Sequence, residues 1–216
     1  MWKAAPVTTD TREEFGALFS VYVWVLALTA AVVFLVVLFA LLRYRRRRGH
    51  APSKRSEAKL VELVYAVVLA GIVGFLVWKT FDTEEKVDAL AASPGLEVEV
   101  TAFQWGWRFT YPQSGVTIAG DQNRPPTAAF PAGTTVQLTL RSRDVIHAFW
   151  VPDLRFKKDA FPTFANEFDL TFARPGDYIG RCAEFCGLEH AGMSFTLRAM
   201  SAEEFDAWLA DKAGRS

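Results

Sequence analysis

The chain has 216 residues with 24 basic and 24 acidic side chains, so its total charge points to no partner. The distribution is informative: residues 1–79 hold 11 Lys/Arg against 5 Asp/Glu, and residues 80–216 hold 13 against 19. A basic, apolar front precedes an acidic, soluble back, which argues against nucleic acid and suits a basic partner.

Residues 1–14 form a short outer segment with Asp10, Glu13 and Glu14. Residues 15–42 then run for 28 positions without a charge, rich in Val, Leu, Ala and Phe. A bilayer core takes about 20 such residues, so the run is expected to be a first transmembrane helix with some tilt. A cleaved signal peptide would be shorter and would follow basic residues, not acidic ones. Residues 43–59 hold eight basic side chains (Arg43, Arg45, Arg46, Arg47, Arg48, Lys54, Arg55, Lys59) and the single acid Glu57. Short loops of this kind stay in the cytoplasm. A second apolar run, 63–78, is 16 residues long and reaches spanning length with its flanks, giving a transmembrane helix over 60–80. Both the N-terminus and the large C-terminal part then lie outside.

Residues 81–95 read as a linker: the stretch Asp82 to Gly95 is polar and ends in Ser93-Pro94-Gly95. Beyond them come short β-rich runs. Over 96–111 the side chains Phe103, Trp105, Trp107, Phe109 and Tyr111 follow a period of two, as do the apolar positions in 134–140, 168–172 and 194–198. Pro131-Ala132-Gly133 and Arg174-Pro175-Gly176-Asp177 supply turns. The spacing predicts an all-β sandwich or small barrel over 96–200. In 201–216, Ser201 and Glu204 ahead of Phe205, Trp208 and Leu209 predict a capped terminal helix.

The two cysteines of the chain, and one of its three histidines, fall in one window: Cys182-Ala183-Glu184-Phe185-Cys186-Gly187-Leu188-Glu189-His190-Ala191-Gly192-Met193. His147 lies 35 residues before Cys182. A disulfide explains Cys182 and Cys186 but leaves His147, His190 and Met193 without a purpose. A zinc site of two cysteines and two histidines leaves Met193 and Glu184 unused. Copper takes thiolate, imidazole and thioether together. Two thiolates bridging a pair of copper ions, each with one imidazole and one weak outer donor, employ all six groups.

The pattern Cys-x-Glu-x-Cys-x3-His-x2-Met, with Asp144-Val145-Ile146-His147 and Val151-Pro152 upstream, resembles the binuclear copper (CuA) loop of cytochrome c oxidase subunit II. The likeness covers nearly the whole chain. It implies a two-helix transmembrane hairpin followed by a cupredoxin-like Greek-key sandwich with a short C-terminal helix. Cys182 and Cys186 would bridge two copper ions, His147 and His190 would be the imidazole ligands, and Met193 the weak thioether. Glu184 would offer its main-chain oxygen to copper and its carboxylate to a magnesium ion shared with subunit I. The implied activity is that of a proton-pumping cytochrome-c oxidase in the bacterial plasma membrane. Electrons from cytochrome c would pass to the haems of subunit I, where oxygen is reduced to water. Subunit III is a further expected partner, and this chain itself would hold no haem.

Phe103-Gln104-Trp105-Gly106-Trp107 resembles the family's aromatic strand, which assigns electron acceptance from cytochrome c to Trp105. Gly106 stands where the family carries another aromatic. Asp144, with the net acidity of the outer part, would attract a basic cytochrome c. Glu62, followed by Tyr65, would lie at the mouth of a proton-uptake channel of subunit I. Related architectures fit less well. A quinol oxidase subunit lacks the copper ligands, and nitrous oxide reductase is soluble and carries a further large domain. An oxidase copper chaperone has one span and a distant downstream histidine.

Overall fold

A computed structural model of the chain describes residues 11–45 and 57–214. Most of the outer segment, and Arg46, Arg47, Arg48, Lys54 and Arg55 of the basic loop, lie outside the described residues. The chain forms two compact units, a helical one (Gly16–Glu84) and a second that contains everything from Glu85 onward.

Helix α1 covers Thr11–Arg43 and buries none of its residues. Apolar side chains such as Trp24, Leu26, Phe34 and Leu41 are exposed on every side of it. A helix apolar all round needs a non-aqueous surrounding. At 1.5 Å per residue α1 measures about 50 Å, and it is long and apolar enough to cross a membrane. Helix α2 (Lys59–Val87) passes the same test. The Tyr22 hydroxyl of α1 hydrogen-bonds the Thr80 hydroxyl of α2 at 2.8 Å.

The second helix extends past residue 80, into the stretch read as linker, and ends at Val87. The residues involved are polar but helix-compatible, and Lys79 Nζ pairs with Asp82 Oδ2 at 2.9 Å one turn on. No Gly or Pro interrupts the chain until Pro94. Polarity marked the end of the apolar surface, and the helix itself continued.

The sandwich has ten strands: β1 (Leu96–Phe103), β2 (Gly106–Tyr111), β3 (Val116–Asp121), β4 (Thr127–Pro131), β5 (Thr135–Ser142), β6 (His147–Val151), β7 (Phe156–Ala160), β8 (Asn166–Thr171), β9 (Gly176–Cys182) and β10 (Ser194–Met200). One sheet runs β3-β2-β1-β5-β8 and the other β4-β10-β9-β6-β7. The pairs β1–β5 and β10–β4 are parallel, and the other pairs are antiparallel. Strand β1 alternates, with Leu96, Val98, Val100 and Ala102 buried and Glu97 and Glu99 exposed, as a sheet with one solvated face requires. The core between the sheets is aromatic. Phe195 stacks on Phe149 with ring centroids 4.7 Å apart and meets Trp107 edge-on at 4.9 Å. Gly180 makes room for it, since a Cβ there would lie 2.1 Å from the Phe195 ring. Helix α3 (Ala202–Ala213) closes the chain, with Ser201 and Glu204 forming the reciprocal cap expected of them.

One strand expectation changes. The alternating aromatics of 103–111 do not share a face, because the chain turns at Gln104-Trp105 and pairs Phe103 with Gly106. Trp107, Phe109 and Tyr111 stay on the buried face of β2, while Trp105 sits half-buried in the turn. The turn depends on Gly106, where a Cβ would stand 2.2 Å from the Gly120 carbonyl oxygen and 2.8 Å from the Phe103 ring.

Candidate metal centre

Strands β6 and β9 are antiparallel neighbours with Phe149 opposite Cys182, which brings the first residue of β6, His147, to the last residue of β9. The segment between Cys182 and Met193 forms a loop closed at its base. The Cys182 N–H donates to the Met193 carbonyl at 2.9 Å, and the Ala183 N–H to the Ala148 carbonyl at 3.1 Å. Within the loop, Gly187 has φ +122°, a conformation that favours glycine. A side chain there would also press on Gln104 and Trp105 at 3.2 Å. His190 opens a single 3₁₀ turn (His190–Gly192), and Met193 follows it.

The six expected donors converge. Both cysteines are free, and their sulfurs are 3.8 Å apart, far beyond a disulfide bond. His147 Nδ1 lies 3.8 Å from Cys182 Sγ, and His190 Nδ1 lies 3.5 Å from Cys186 Sγ. The Glu184 carbonyl oxygen is 3.2 Å from Cys182 Sγ, and Met193 Sδ is 3.8 Å from Cys186 Sγ. Each sulfur therefore has one imidazole nitrogen and one weak donor beside it. His147, Cys182, Cys186 and Met193 are buried, and the ligating atoms of the first three lie within 4.8 Å of one another.

The electrostatics suit a cation. Burial alone would raise the Cys182 thiol, but its hydrogen bonds to His147 and to backbone around Ala148 and Glu184 outweigh this and bring it down to about 6. Cys186 moves the other way, to about 12, first through burial and then through the Cys182 charge beside it. Two thiolates this close in a buried site repel, and a metal ion between them removes the conflict. The thioether and the two-fold arrangement of donors fit a pair of soft ions such as copper better than one tetrahedral zinc.

The far nitrogen of His147, Nε2, bonds Asp144 Oδ1 at 2.8 Å, fixing the ring so that Nδ1 faces the sulfur. Burial would depress the His147 pKa, but Cys182 and Asp144 hold it above the usual value. Asp144 also accepts from the Val145 N–H at 2.7 Å and, through Oδ2, from the Gln104 N–H at 2.8 Å. Against a burial cost, these bonds keep its carboxyl below the ordinary range. The residue read from sequence as a docking charge is thus also an anchor for His147 and for the Gln104-Trp105 turn. That link was legible only as the spacing Asp-x-x-His.

Trp105 touches the loop: its Nε1–H donates to the Cys186 carbonyl at 3.2 Å, beside the Gln104 amide at 2.8 Å. Sequence reading missed Gln104 as a second clamp on that carbonyl. The Glu184 carboxylate is exposed and lies 3.8 Å from Lys157 Nζ. Glu62 lies in the first turn of α2, where its carboxylate accepts from the Ala58 N–H at 3.2 Å.

A family model described as cytochrome c oxidase subunit II, periplasmic domain, matches residues 122–200. A probable cytochrome c oxidase subunit 2 of Streptomyces avermitilis is 32% identical over 95% of this chain and 78% of its own length. A cytochrome c oxidase subunit 2 of Alkalihalophilus pseudofirmus is also 32% identical, over 86% of this chain and 54% of its own length. Among solved structures, the periplasmic domain of subunit II of the cytochrome oxidase of Bradyrhizobium japonicum superposes with a TM-score of 0.54 at 27% identity. It covers 58% of this chain and 99% of that domain.

Proposed function

Since the chain belongs to the cytochrome c oxidase subunit II family, we propose that it is the electron-accepting subunit of a proton-pumping haem–copper oxidase. In this reading it takes electrons from cytochrome c and delivers them towards the haems of subunit I, where oxygen is reduced to water. One observation carries the reading: two free sulfurs 3.8 Å apart, each facing one imidazole nitrogen and one weak donor.

Cys182, Cys186, His147, His190, Met193 and the Glu184 carbonyl would together hold two copper ions. Bound there, the copper pair would supply a one-electron redox couple. The protein's part is to keep the donors still. Two strand ends and a loop closed by backbone hydrogen bonds hold them, over the aromatic packing of Trp107, Phe149 and Phe195. A site held so firmly changes little between oxidation states. Trp105 would receive the electron, being half-exposed and bonded to the carbonyl of a bridging cysteine. The Glu184 carboxylate would hold magnesium together with subunit I, in exchange for its contact with Lys157. Glu62 would stand at the mouth of a proton-uptake channel. With the basic loop in the cytoplasm, α1 and α2 would both cross a bacterial plasma membrane and the sandwich would lie outside it. Subunits I and III and a cytochrome c are the expected partners.

The test is copper reconstitution of the full chain in detergent. Wild type should bind two coppers per chain, and Cys186→Ser should lose the pair and its visible absorption. A wild type that takes up one zinc in preference to copper, or that oxidises to a disulfide with copper supplied, would refute the proposal.

A further inference from the structure

Helix α2 does not lead straight into β1. Residues 88–95 first cross the edges of both sheets and are fastened at three points. Asp88 Oδ1 accepts from Lys158 Nζ of β7, the edge strand of the second sheet, at 2.8 Å. Asp169 of β8, the edge strand of the first sheet, accepts from the Ala91 N–H through Oδ2 at 2.6 Å. The Gly95 N–H donates to the Thr135 carbonyl of β5 at 2.9 Å. The connector is a strap.

Its middle fastening holds a buried acid. Side chains alternate along β8, so Phe168 and Leu170 enter the core while Glu167, Asp169 and Thr171 point the other way. Glu167 is exposed, as that face requires, but Asp169 is only 4% exposed. The strap, bonded to it through Ala91, supplies the cover. Among the described residues Asp169 Oδ1 has no hydrogen-bond partner. A buried carboxylate with one oxygen unanswered is costly, and a proton on it removes the charge.

Burial raises the Asp169 pKa above the usual carboxyl value, and the Ala91 N–H and the neighbouring Gln137 amide offset this only in part. The surrounding charges do not reverse it. Glu167 stands two residues back on β8, and Glu97 of β1 lies in line with Asp169 across Gln137 of β5. Both disfavour a further negative charge. Lys158 of β7 is already paired with Asp88 of the strap. Arg141, the one charge on that face of β5, lies four residues beyond Gln137.

We infer that Asp169 is a proton-operated latch: its neutral carboxyl keeps residues 88–95 closed over β8, and loss of the proton to water opens them. Once open, water reaches both carboxylate oxygens, and the strap becomes a flexible tether spanning about 15 Å. The closed strap is fully favoured below the open-state carboxyl pKa and is lost as pH rises through the higher, closed-state value. In the proposed reading the sandwich lies on the side to which protons are pumped, so turnover would keep the strap closed. That consequence rests on the proposed function, and the latch itself does not.

Hydrogen–deuterium exchange of the metal-free full chain in detergent, read by mass spectrometry on peptides covering 88–95, tests this between pH 3 and 8. Dividing by the rates of the unstructured peptides removes the pH dependence of the exchange chemistry. Wild-type protection around Ala91 should fall by up to about tenfold per pH unit between the open-state and closed-state pKa values. Asp169→Asn keeps an acceptor and cannot ionise, so its protection should stay level. Lys158→Met should lower protection by a constant factor and leave the fall in place. Three results would overturn the latch: level protection in wild type, a fall that persists in Asp169→Asn, or a fall abolished by Lys158→Met. None of these readouts involves copper, so failure of the proposed function would leave them standing.

Discussion

Replacing Asp144 by alanine removes three hydrogen bonds together, to Gln104 N, Val145 N and His147 Nε2. The costs differ. His147 is fully buried, so its orphaned nitrogen costs about 1–3 kcal/mol. The Asp144 side chain is 28% exposed, so water partly replaces it at the two backbone N–H groups, for about 0.5 kcal/mol each. The total is about 2–4 kcal/mol, or on the order of 10 °C in the melting temperature of a domain this size. Denaturant unfolding of the metal-free full chain in detergent, followed by near-UV circular dichroism, reads the sandwich. Asp144→Asn keeps an acceptor and should lose about half as much. An Asp144→Ala variant within about 0.5 kcal/mol of wild type, the range of an ordinary surface change, would refute the anchoring role.

Gly180→Ala drives a methyl group into the buried Phe195 ring and should cost about 1–3 kcal/mol in the same assay; a neutral result would mean that the core yields there. Asp169, buried and accepting from the Ala91 N–H, has its pKa raised by burial. Its contribution is therefore fully present below the unfolded carboxyl value and is lost as pH rises through the folded one. Stability measured from pH 3 to 8 should fall less steeply for Asp169→Asn than for wild type, and parallel curves would contradict this. Trp105→Phe should slow electron uptake from cytochrome c by about tenfold or more while leaving the copper absorption unchanged, because it alters the path and spares the ligands; stopped-flow reduction at wild-type rate would remove Trp105 from the path. Glu62→Gln should lower steady-state turnover and proton uptake together, and wild-type rates would assign Glu62 only its bond to the Ala58 N–H.

Much of this was legible in the sequence because the informative patterns are local. Uncharged length announces α1 and most of α2. Ser201 and Glu204 cap α3 through bonds three residues apart. Five of the six donors sit within one loop, and the sixth, His147, stands out because the chain has few histidines. What escaped depends on contacts distant in sequence. The period-two aromatics of 103–111 conceal a turn that exists because β3 crowds Gly106 through Gly120. The bonds from Asp144 to Gln104 and from Gln104 to Cys186 link residues 40 and 82 positions apart. The polar residues 82–86 carry no sign that a helix continues through them beyond the lack of a breaker.

If Cys182 and Cys186 hold one pair of copper ions, electron paramagnetic resonance on the copper-loaded full chain should show an unpaired electron coupled to two equivalent copper nuclei, a pattern lost in Cys182→Ser and in Cys186→Ser. Coupling to a single nucleus, or a silent sample with the sulfurs joined, would contradict it.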